Sequence, residues 1–301
     1  MKILVNDGMS KDGIESLRNA GHLVEDTNIP QEELPAKIGD YDVLVVRSAT
    51  KVNRDVIDGG RKLKVIVRGG VGVDNIDVAY ATEKGIRVMN TPAASSASVA
   101  ELALAHMFAL CRFIPTANLS MREGKWEKKA YAKGIELGGK ILGILGLGRI
   151  GTELAKRALA LGMKVVAYDP IVATTTLNVM LLSMDEVLAR ADFLSLHMPL
   201  EKGGKPVIGA AEIAKMKDGA HIINCARGGV VDEKALLDAL NAGKLGGAGV
   251  DVFSSEPNFN QELAKHPRVS VTPHIGASTV EAQKRIGVEV AKLLIDYAKG
   301  F

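Results

Sequence analysis

The sequence predicts an α/β protein made of two doubly wound parallel-sheet domains. Three observations point to this fold: a length of 301 residues, a repeated alternation of short aliphatic strands with helical stretches, and a glycine-rich turn near the middle. The length exceeds that of an average domain, and such alternation produces parallel sheets with helices on both faces. We predict one discontinuous domain over 1–96 plus 283–301 and a second over 97–282.

The first domain begins directly with this alternation. Aliphatic runs bounded by turn residues predict strands, and amphipathic stretches predict helices. A long helical pattern over 98–122 follows, with a break expected at Pro115, which lacks a backbone N–H. The predicted strands cover 2–5, 23–25, 43–47, 65–68 and 87–90, and the predicted helices cover 11–20, 31–38, 54–59 and 77–84.

Residues 140–169 carry the strongest signal in the chain. The run 141–145 predicts a buried strand, and Gly146, Gly148 and Gly151 follow it at the G-x-G-x-x-G spacing. The first glycine permits a tight turn, the second lets a pyrophosphate approach the backbone, and the third lets the helix pack on the strand. The pyrophosphate then accepts hydrogen bonds from the N–H groups that open the helix.

Asp169 closes the strand that follows this helix. A carboxylate in that position accepts hydrogen bonds from an adenosine ribose and repels a 2′-phosphate, so a Rossmann-type site for NAD is favoured over one for NADP. His197 and Cys225, each at the end of a predicted strand, are assigned to the same cofactor cleft, although Cys225 is more simply a small buried residue. The residues predicted to bind the cofactor are Gly146, Gly148, Arg149, Ile150, Gly151, Asp169, His197 and Cys225.

The remainder of the second domain continues the alternation. The final helix is long enough to return to the first domain at about 1.5 Å per residue, which is why that domain is predicted to be discontinuous. The predicted strands are 164–168, 193–197, 221–225, 247–252 and 269–272, and the predicted helices are 149–161, 184–190, 210–216, 233–241 and 278–299.

Three residues at the ends of the late strands suggest redox chemistry on a hydroxy acid. His274 supplies an imidazole base, Glu256 a carboxylate to fix its tautomer, and Arg227 a guanidinium for a substrate carboxylate or carbonyl. Each residue also has a structural alternative. His274 is then a hydrogen-bonded loop histidine, Arg227 a helix cap and Glu256 a turn residue.

A second glycine-rich stretch, RGGVGVDNID over 68–77, follows a strand of the first domain. Successive backbone N–H groups in such a turn form a nest for an anion. The alternative is an ordinary turn capped by Asp74 or Asn75. Arg47 ends a neighbouring strand and is a candidate for an additional anionic group, with ion pairing at the domain edge as its alternative.

The motifs GILGLGRIG, NCARGGVVDE, DVFSSEP and PHIGAST, with VRSATKV and GVGVDNID, resemble those of the D-2-hydroxyacid dehydrogenase family. The resemblance implies a Rossmann domain and a smaller flavodoxin-like substrate domain. It implies that Arg227, Glu256 and His274 are catalytic and that Asp251 helps to place the nicotinamide carboxamide. It assigns the substrate phosphate to Arg47, and the substrate carboxylate to the turn formed by Arg68, Gly69, Gly70, Val71 and Gly72.

Within the family, the likeness is to enzymes that use NAD to oxidise 3-phospho-D-glycerate to 3-phosphohydroxypyruvate, the first step of serine synthesis. The form expected is the short one, without a regulatory domain and without inhibition by L-serine. The alternatives are a hydroxypyruvate or glyoxylate reductase and a non-catalytic NAD-binding scaffold. The resemblance also implies a homodimer joined through the nucleotide-binding domain. Trp126, in a polar arm, is a candidate interface anchor or a residue packed on its own chain.

Composition argues against other classes of function. The formal net charge is +3 and the basic residues are scattered, so nothing favours nucleic acid as a partner. No apolar run approaches the roughly 20 residues that span a bilayer, and the N-terminus lacks a signal-peptide pattern. Cys111 and Cys225 have neither disulfide-framework nor metal-ligand spacing. We therefore expect a cytoplasmic protein without a metal site.

Overall fold

The computed structural model describes residues 1–200 and 203–300. The chain begins with β1 (Lys2–Val5), α1 (Lys11–Asn19), β2 (Leu23–Asp26), α2 (Leu34–Lys37), β3 (Val43–Val46), α3 (Arg54–Gly59), β4 (Val65–Arg68), α4 (Val78–Glu83), β5 (Arg87–Asn90), α5 (Ser96–Cys111) and α6 (Ile114–Arg122). It continues with β6 (Ile141–Leu145), α7 (Arg149–Ala160), β7 (Lys164–Tyr168), β8 (Val179–Leu181), α8 (Met184–Arg190), β9 (Phe193–Leu196), α9 (Ala210–Lys215), β10 (Ala220–Asn224), α10 (Glu233–Asn241), β11 (Leu245–Val250), α11 (Gln261–Lys265), β12 (Val269–Val271) and α12 (Val280–Ala298).

Over the described residues the strands form two parallel sheets, one of five strands in the order β2-β1-β3-β4-β5 and one of seven in the order β12-β11-β10-β9-β6-β7-β8. In both sheets the strand order reverses beside the first strand, as in doubly wound folds. The two sheets confirm the predicted fold class.

The chain divides into two compact units. The first unit is Met1–Ser96 with Ala277–Phe301, and the second unit is Ala97–Gly276. The later boundary falls at 276/277, whereas the sequence predicts 282/283. The residue bounds of the two domains remain a prediction.

Alternate residues of the central strands in the first unit enter two different cores. Leu4 and Leu44 belong to one core, whereas their neighbours Ile3 and Val43 belong to the other. This is the pattern of parallel strands that are buried on both faces. Polar residues follow the carboxyl ends of these strands, where the loops begin.

Helix α12 covers one of these cores together with α1. Its side chains Ile286, Val290 and Leu294 are at most 4% exposed. The two helices approach closely because glycines meet, and a Cβ atom on Gly13 would lie 2.6 Å from the carbonyl oxygen of Gly287. The glycine at each position lets the apolar faces come into contact.

The second unit repeats this arrangement on a larger scale. In β9, Phe193 enters the core beneath α5 and α7, while Leu194 enters the core beneath α8, α9 and α10. Gly143 of β6 lies under α8, where an added Cβ would come within 2.8 Å of Val187. The helices are thus packed tightly enough to fix the loops at the strand ends.

The break in the long helix does not lie at Pro115. Helix α5 ends at Cys111, Phe113 adopts the left-handed conformation with φ 54°, and Pro115 occupies the first turn of α6. A proline is accommodated there because the first turn needs no N–H donor. No single described helix is long and apolar enough to cross a bilayer, and α5 and α6, bent by 64°, reach that length and composition only as a pair.

Three further details differ from the sequence-based expectations. The helix predicted over 31–38 is shorter, because α2 spans only Leu34–Lys37 and passes into a 3₁₀ turn at Ile38–Asp40. Strand β8 and helix α11 were not predicted, since both are too short to show periodicity. Helix α4 is capped by the carboxylate of Asp77 rather than by Asp74 or Asn75.

Candidate active site

The glycine turn after β6 has the geometry that its spacing predicts. Gly146 has φ 95°, and a Cβ there would lie 2.5 Å from the carbonyl oxygen of His197. A Cβ on Gly151 would lie 2.1 Å from the carbonyl oxygen of Gly146. Around Gly148, in contrast, no described atom lies within 4 Å of an added Cβ. Packing therefore requires the outer two glycines, while the middle one leaves open space.

Helix α7 starts at this open position. Gly148 is its N-cap, and among the described residues no side chain caps its first turn. The N–H groups of Arg149, Ile150 and Gly151 belong to this first turn, where a helix provides donors and a partial positive charge. The arrangement suits a bound pyrophosphate.

Asp169 lies beside the same turn. Its Oδ2 accepts the N–H of Leu147 at 2.8 Å, and its Oδ1 accepts those of Ile171 and Val172 at 2.8 and 3.0 Å. The backbone bonds hold the carboxylate against the turn, where a ribose next to the pyrophosphate would lie. The open space at Gly148, the first turn of α7 without a side-chain cap and the carboxylate of Asp169 together fit NAD.

The imidazole of His274 is paired with the carboxylate of Glu256. Nδ1 of His274 lies 2.8 Å from Oε2 of Glu256, and Oε1 accepts the N–H of Phe253 at 2.9 Å. Both side chains remain partly exposed, at 42% and 37%. The pair can therefore exchange a proton with a ligand through Nε2 of His274 while Nδ1 stays bound.

Asp251 holds the loop that carries His274. This residue is 1% exposed, and its carboxylate accepts the N–H of Ile275 at 2.8 Å and that of Gly276 at 3.0 Å. Its carbonyl oxygen accepts the N–H of His274 at 2.8 Å. The buried carboxylate is thus occupied with backbone donors, and the predicted contact with the nicotinamide carboxamide stays a prediction.

Arg227 lies on a neighbouring loop after β10. Its Nη1 donates to the carbonyl oxygen of Ala226 at 2.6 Å, and its own carbonyl accepts Nδ2 of Asn224 at 3.1 Å. Gly228 brings this loop against the Glu256 loop, since a Cβ there would lie 1.8 Å from the carbonyl oxygen of Phe253. The structure thus joins His274 and Glu256 directly and packs the Arg227 loop against the loop of Glu256.

His197 and Cys225 lie at the ends of adjacent strands. Nε2 of His197 lies 2.8 Å from the hydroxyl of Ser195, and burial lowers the pKa of His197 to about 4. Burial also raises the pKa of the Cys225 thiol well above its usual value. At neutral pH both groups are therefore uncharged, which excludes a thiolate nucleophile at Cys225.

In the first unit, the turn after β4 is only partly available to a ligand. The N–H of Gly69 donates to the carbonyl oxygen of Val46 at 2.8 Å, which extends the sheet and removes this N–H from the predicted nest. Gly70 has φ 146°, and the guanidinium of Arg68 lies where its Cβ would be. The N–H groups of Gly70, Val71 and Gly72 remain the candidates for an anion.

Arg47 is fixed through its backbone at the end of β3. Its N–H donates to Oδ2 of Asp7 at 2.6 Å, and its carbonyl oxygen accepts Nδ2 of Asn75 at 2.7 Å. Its side chain lines an open cleft of about 570 Å³ in the first unit. Gln283 and Lys284 of α12 line the same cleft, and Nζ of Lys284 pairs with Asp12 at 2.8 Å.

Sequence reasoning missed Thr272 and gave His106 no role beyond helix packing. The Thr272 hydroxyl donates to Oδ1 of Asp251 at 2.5 Å and lies 3.2 Å from Nε2 of His106. The available signal in the sequence was weak, because it consisted of one histidine in a mainly apolar helix and a separate glycine-rich strand. The pairing depends on tertiary packing and is not readable from local spacing.

Comparison with known proteins identifies the family that this chain resembles. Residues 104–276 match the family model described as D-isomer specific 2-hydroxyacid dehydrogenase, NAD binding domain. A solved structure of D-lactate dehydrogenase from Aquifex aeolicus, complexed with NAD and lactic acid, has a TM-score of 0.83 and 30% identity, and the match covers 100% of this chain and 96% of that one.

Two curated relatives are equally similar in sequence. A hydroxypyruvate reductase of Thermotoga maritima is 50% identical over 295 residues, which is 97% of this chain and 96% of the relative. A D-3-phosphoglycerate dehydrogenase of Methanocaldococcus jannaschii is 50% identical over 304 residues, which is 100% of this chain and 58% of the relative. The chain thus spans little more than half the length of the second relative.

Proposed function

This chain belongs to the D-isomer specific 2-hydroxyacid dehydrogenase family, which makes it an NAD-dependent oxidoreductase, and we propose that it oxidises 3-phospho-D-glycerate to 3-phosphohydroxypyruvate in serine synthesis. The observation that carries the choice of substrate is the cleft beside Arg47. Arg47 and Lys284 bring two positive charges to it and Asp12 one negative charge, which favours an anionic group such as a phosphate.

In this proposal the second unit holds the cofactor. The first turn of α7 binds the pyrophosphate, Gly148 leaves room for it, and Asp169 accepts hydrogen bonds from the adenosine ribose. His197, Cys225 and Asp251 contribute to the same cofactor site. Bound NAD supplies the hydride acceptor.

The proton chemistry is assigned to His274. With Nδ1 held by Glu256, Nε2 takes the proton of the substrate hydroxyl during oxidation and returns it during reduction. Glu256 stabilises the imidazolium that forms. Arg227 binds the substrate carboxylate and polarises the carbonyl that develops. In the first unit, Gly70, Val71 and Gly72 bind the carboxylate through their N–H groups and Arg47 binds the phosphate.

Reduction of hydroxypyruvate is the second candidate. It is favoured by the relative from Thermotoga maritima, which has the same identity as the phosphoglycerate dehydrogenase and nearly the same length as this chain. A reductase of this kind needs the same acid–base pair but has no phosphate for Arg47 to bind.

NADH absorbance in the purified protein distinguishes these functions. Forward assays contain NAD with 3-phosphoglycerate, glycerate or lactate, and NADP replaces NAD in a parallel series. Reverse assays contain NADH with phosphohydroxypyruvate, hydroxypyruvate or glyoxylate. We expect a clear preference for the phosphorylated pair and for NAD. Activity on the unphosphorylated acids alone would move the assignment to the reductase, and NADH binding without turnover would indicate a scaffold.

We also propose that the protein is a homodimer joined through the nucleotide-binding domain. Helix α6 and the segment after it expose large apolar side chains, with Ile114 at 52%, Leu119 at 58%, Met121 at 55% and Trp126 at 79%. Apolar groups at this density suit an interface with another chain. Light scattering during size exclusion tests the dimer, and Leu119→Glu is expected to shift the mass to that of one chain.

A further inference from the structure

A chain of hydrogen bonds runs through the interior of the second unit from α5 to the loop of His274. His106 of α5 is 2% exposed, and its Nδ1 lies 2.9 Å from the hydroxyl of Ser270. Its Nε2 lies 3.2 Å from the hydroxyl of Thr272, which donates to Oδ1 of Asp251 at 2.5 Å. The proposed mechanism leaves His106, Ser270 and Thr272 without a role.

The hydrogens in this chain can be placed one after another. A hydroxyl has a single hydrogen, and that of Thr272 goes to the Asp251 carboxylate. Thr272 can therefore only accept from His106, which puts a hydrogen on Nε2. Burial lowers the pKa of His106, although the charge of Asp251 opposes this, so the ring is neutral near pH 7 and Nδ1 accepts from Ser270. Each group in this chain of bonds therefore donates to the next one, from Ser270 through His106 and Thr272 to Asp251.

The backbone is shaped to admit this ring. A Cβ on Gly249 of β11 would lie 2.6 Å from Cβ of His106 and 2.9 Å from Cγ, so a side chain on the strand would displace the imidazole. A buried imidazole in an apolar helix needs partners for both nitrogens, because an unpaired polar group there is costly. Ser270 and Thr272 supply them.

Asp251 connects this chain of bonds to the loop that carries His274. It binds the N–H groups of His274, Ile275 and Gly276 with its carbonyl and its two carboxylate oxygens. His274 has φ 53°, a left-handed conformation that costs a residue with a Cβ roughly 1 kcal/mol or more. These bonds to Asp251 hold the residue in that conformation while its ring meets Glu256.

We propose that His106 and Thr272 are positioning residues for the acid–base step. By fixing the Asp251 carboxylate from the side of α5, they hold His274 in the left-handed conformation that keeps Nδ1 on Glu256. This proposal rests on the proposed function, in which His274 moves the substrate proton. It extends that function to α5, because His106 of this helix acts on His274 only through Thr272 and Asp251.

Thr272→Val and His106→Leu remove the donors, whereas Thr272→Ser and His106→Gln retain a hydroxyl or an N–H. Thr116→Val is the matched control, since the Thr116 hydroxyl donates to the carbonyl oxygen of Phe113, the residue before α6, and not to this chain of bonds. For each variant, kcat and KM are measured with the better keto acid, together with the melting temperature. The His274 ring proton is followed by NMR without substrate and assigned by its loss in His274→Gln, among six histidines.

We expect Thr272→Val and His106→Leu each to lower kcat about tenfold, with KM within about twofold, and their combination to be no worse than the stronger single change. In both variants the His274 resonance should move toward its position in Glu256→Gln. Thr272→Ser and the control should match the parent protein in kcat and resonance, and His106→Gln should keep most of both.

An unchanged kcat and His274 resonance in Thr272→Val, or a loss of melting temperature alone, would overturn the proposal and leave a purely structural pair. If His106→Leu does not fold, Thr272→Val and Thr272→Ser decide the question. If the parent protein turns over no 2-hydroxy acid, the proposed function fails, and the NMR comparison alone supports or overturns the positioning role.

Discussion

Nδ1 of His274 lies 2.8 Å from Oε2 of Glu256, and the other oxygen of that carboxylate is held by the N–H of Phe253. The backbone bond fixes the carboxylate, and the carboxylate in turn fixes the imidazole. A hydrogen bond of this kind fixes the orientation of the ring. Nε2 is therefore the ring nitrogen that exchanges a proton with the substrate.

Replacement of His274 should therefore affect chemistry far more than cofactor binding. We expect His274→Ala to lower kcat by roughly 10²- to 10⁴-fold, the range for loss of a general base, while Kd for NADH stays within about twofold. Glu256→Gln should lower kcat less, because the imidazole remains. Steady-state kinetics and NADH fluorescence titration measure the two effects. An equal loss of kcat and NADH affinity in His274→Ala would indicate a structural histidine.

Two glycines of the cofactor turn should differ in how the same substitution affects the stability of the fold. Gly148 has φ −71° and no described atom within 4 Å of an added Cβ, so Gly148→Ala should keep the melting temperature. The new methyl group occupies the space of the pyrophosphate, and we expect Kd for NADH to rise about tenfold or more, a cost of about 1.4 kcal/mol.

Gly151→Ala is the matched comparison. Its Cβ would lie 2.1 Å from the carbonyl oxygen of Gly146, a backbone atom that cannot move without opening the turn. We expect a lower melting temperature together with weaker NADH binding. If Gly148→Ala bound NADH as tightly as the parent protein, the open space would not be the pyrophosphate site.

The sequence predicts those parts of the molecule that local constraints determine. The glycine turn is one, because each glycine has its own steric reason and the flanking strand and helix agree with it. The break between α5 and α6 was misplaced, since the left-handed Phe113 that causes it carries no sequence signal and Pro115 is accommodated in the next helix. Residues that only tertiary packing brings together, such as His106 and Ser270, could not be paired from the sequence.

Two partly buried histidines, His197 and His221, should make the fold sensitive to acid. Burial lowers the pKa values of His197 and His221 to about 4, and the His221 ring stacks on Phe193 at 4.7 Å. The unfolded chain binds protons near pH 6.5, so the stabilisation is complete above that pH and is lost as pH falls toward 4. Each histidine contributes up to about 3 kcal/mol to this loss.

Urea unfolding at several pH values between 7 and 4 tests this linkage. The free energy of unfolding should fall less steeply in His221→Gln, which has no imidazole to protonate, than in the parent protein. Lys128→Gln, at an exposed position, should leave the slope unchanged. Identical slopes in His221→Gln and the parent protein would mean that His221 titrates normally in the folded state.

Arg47 separates the two candidate substrates. Its backbone is held by Asp7 and Asn75, so Arg47→Ala removes the guanidinium without releasing the end of β3. Loss of a charged hydrogen-bond partner costs about 1.5–3 kcal/mol, and kcat/KM for phosphohydroxypyruvate should fall roughly 10- to 100-fold. For glyoxylate, which has no phosphate, the change in kcat/KM should stay within about twofold.

Arg54→Ala is the control variant. It removes a cation of the same unit that pairs with Asp77, and it should leave kcat/KM for both substrates unchanged. Arg47→Lys should recover part of the loss, because a single ammonium cannot reproduce a bidentate bond to phosphate. Equal losses for both substrates would assign Arg47 to the common carboxylate and favour the hydroxypyruvate reductase.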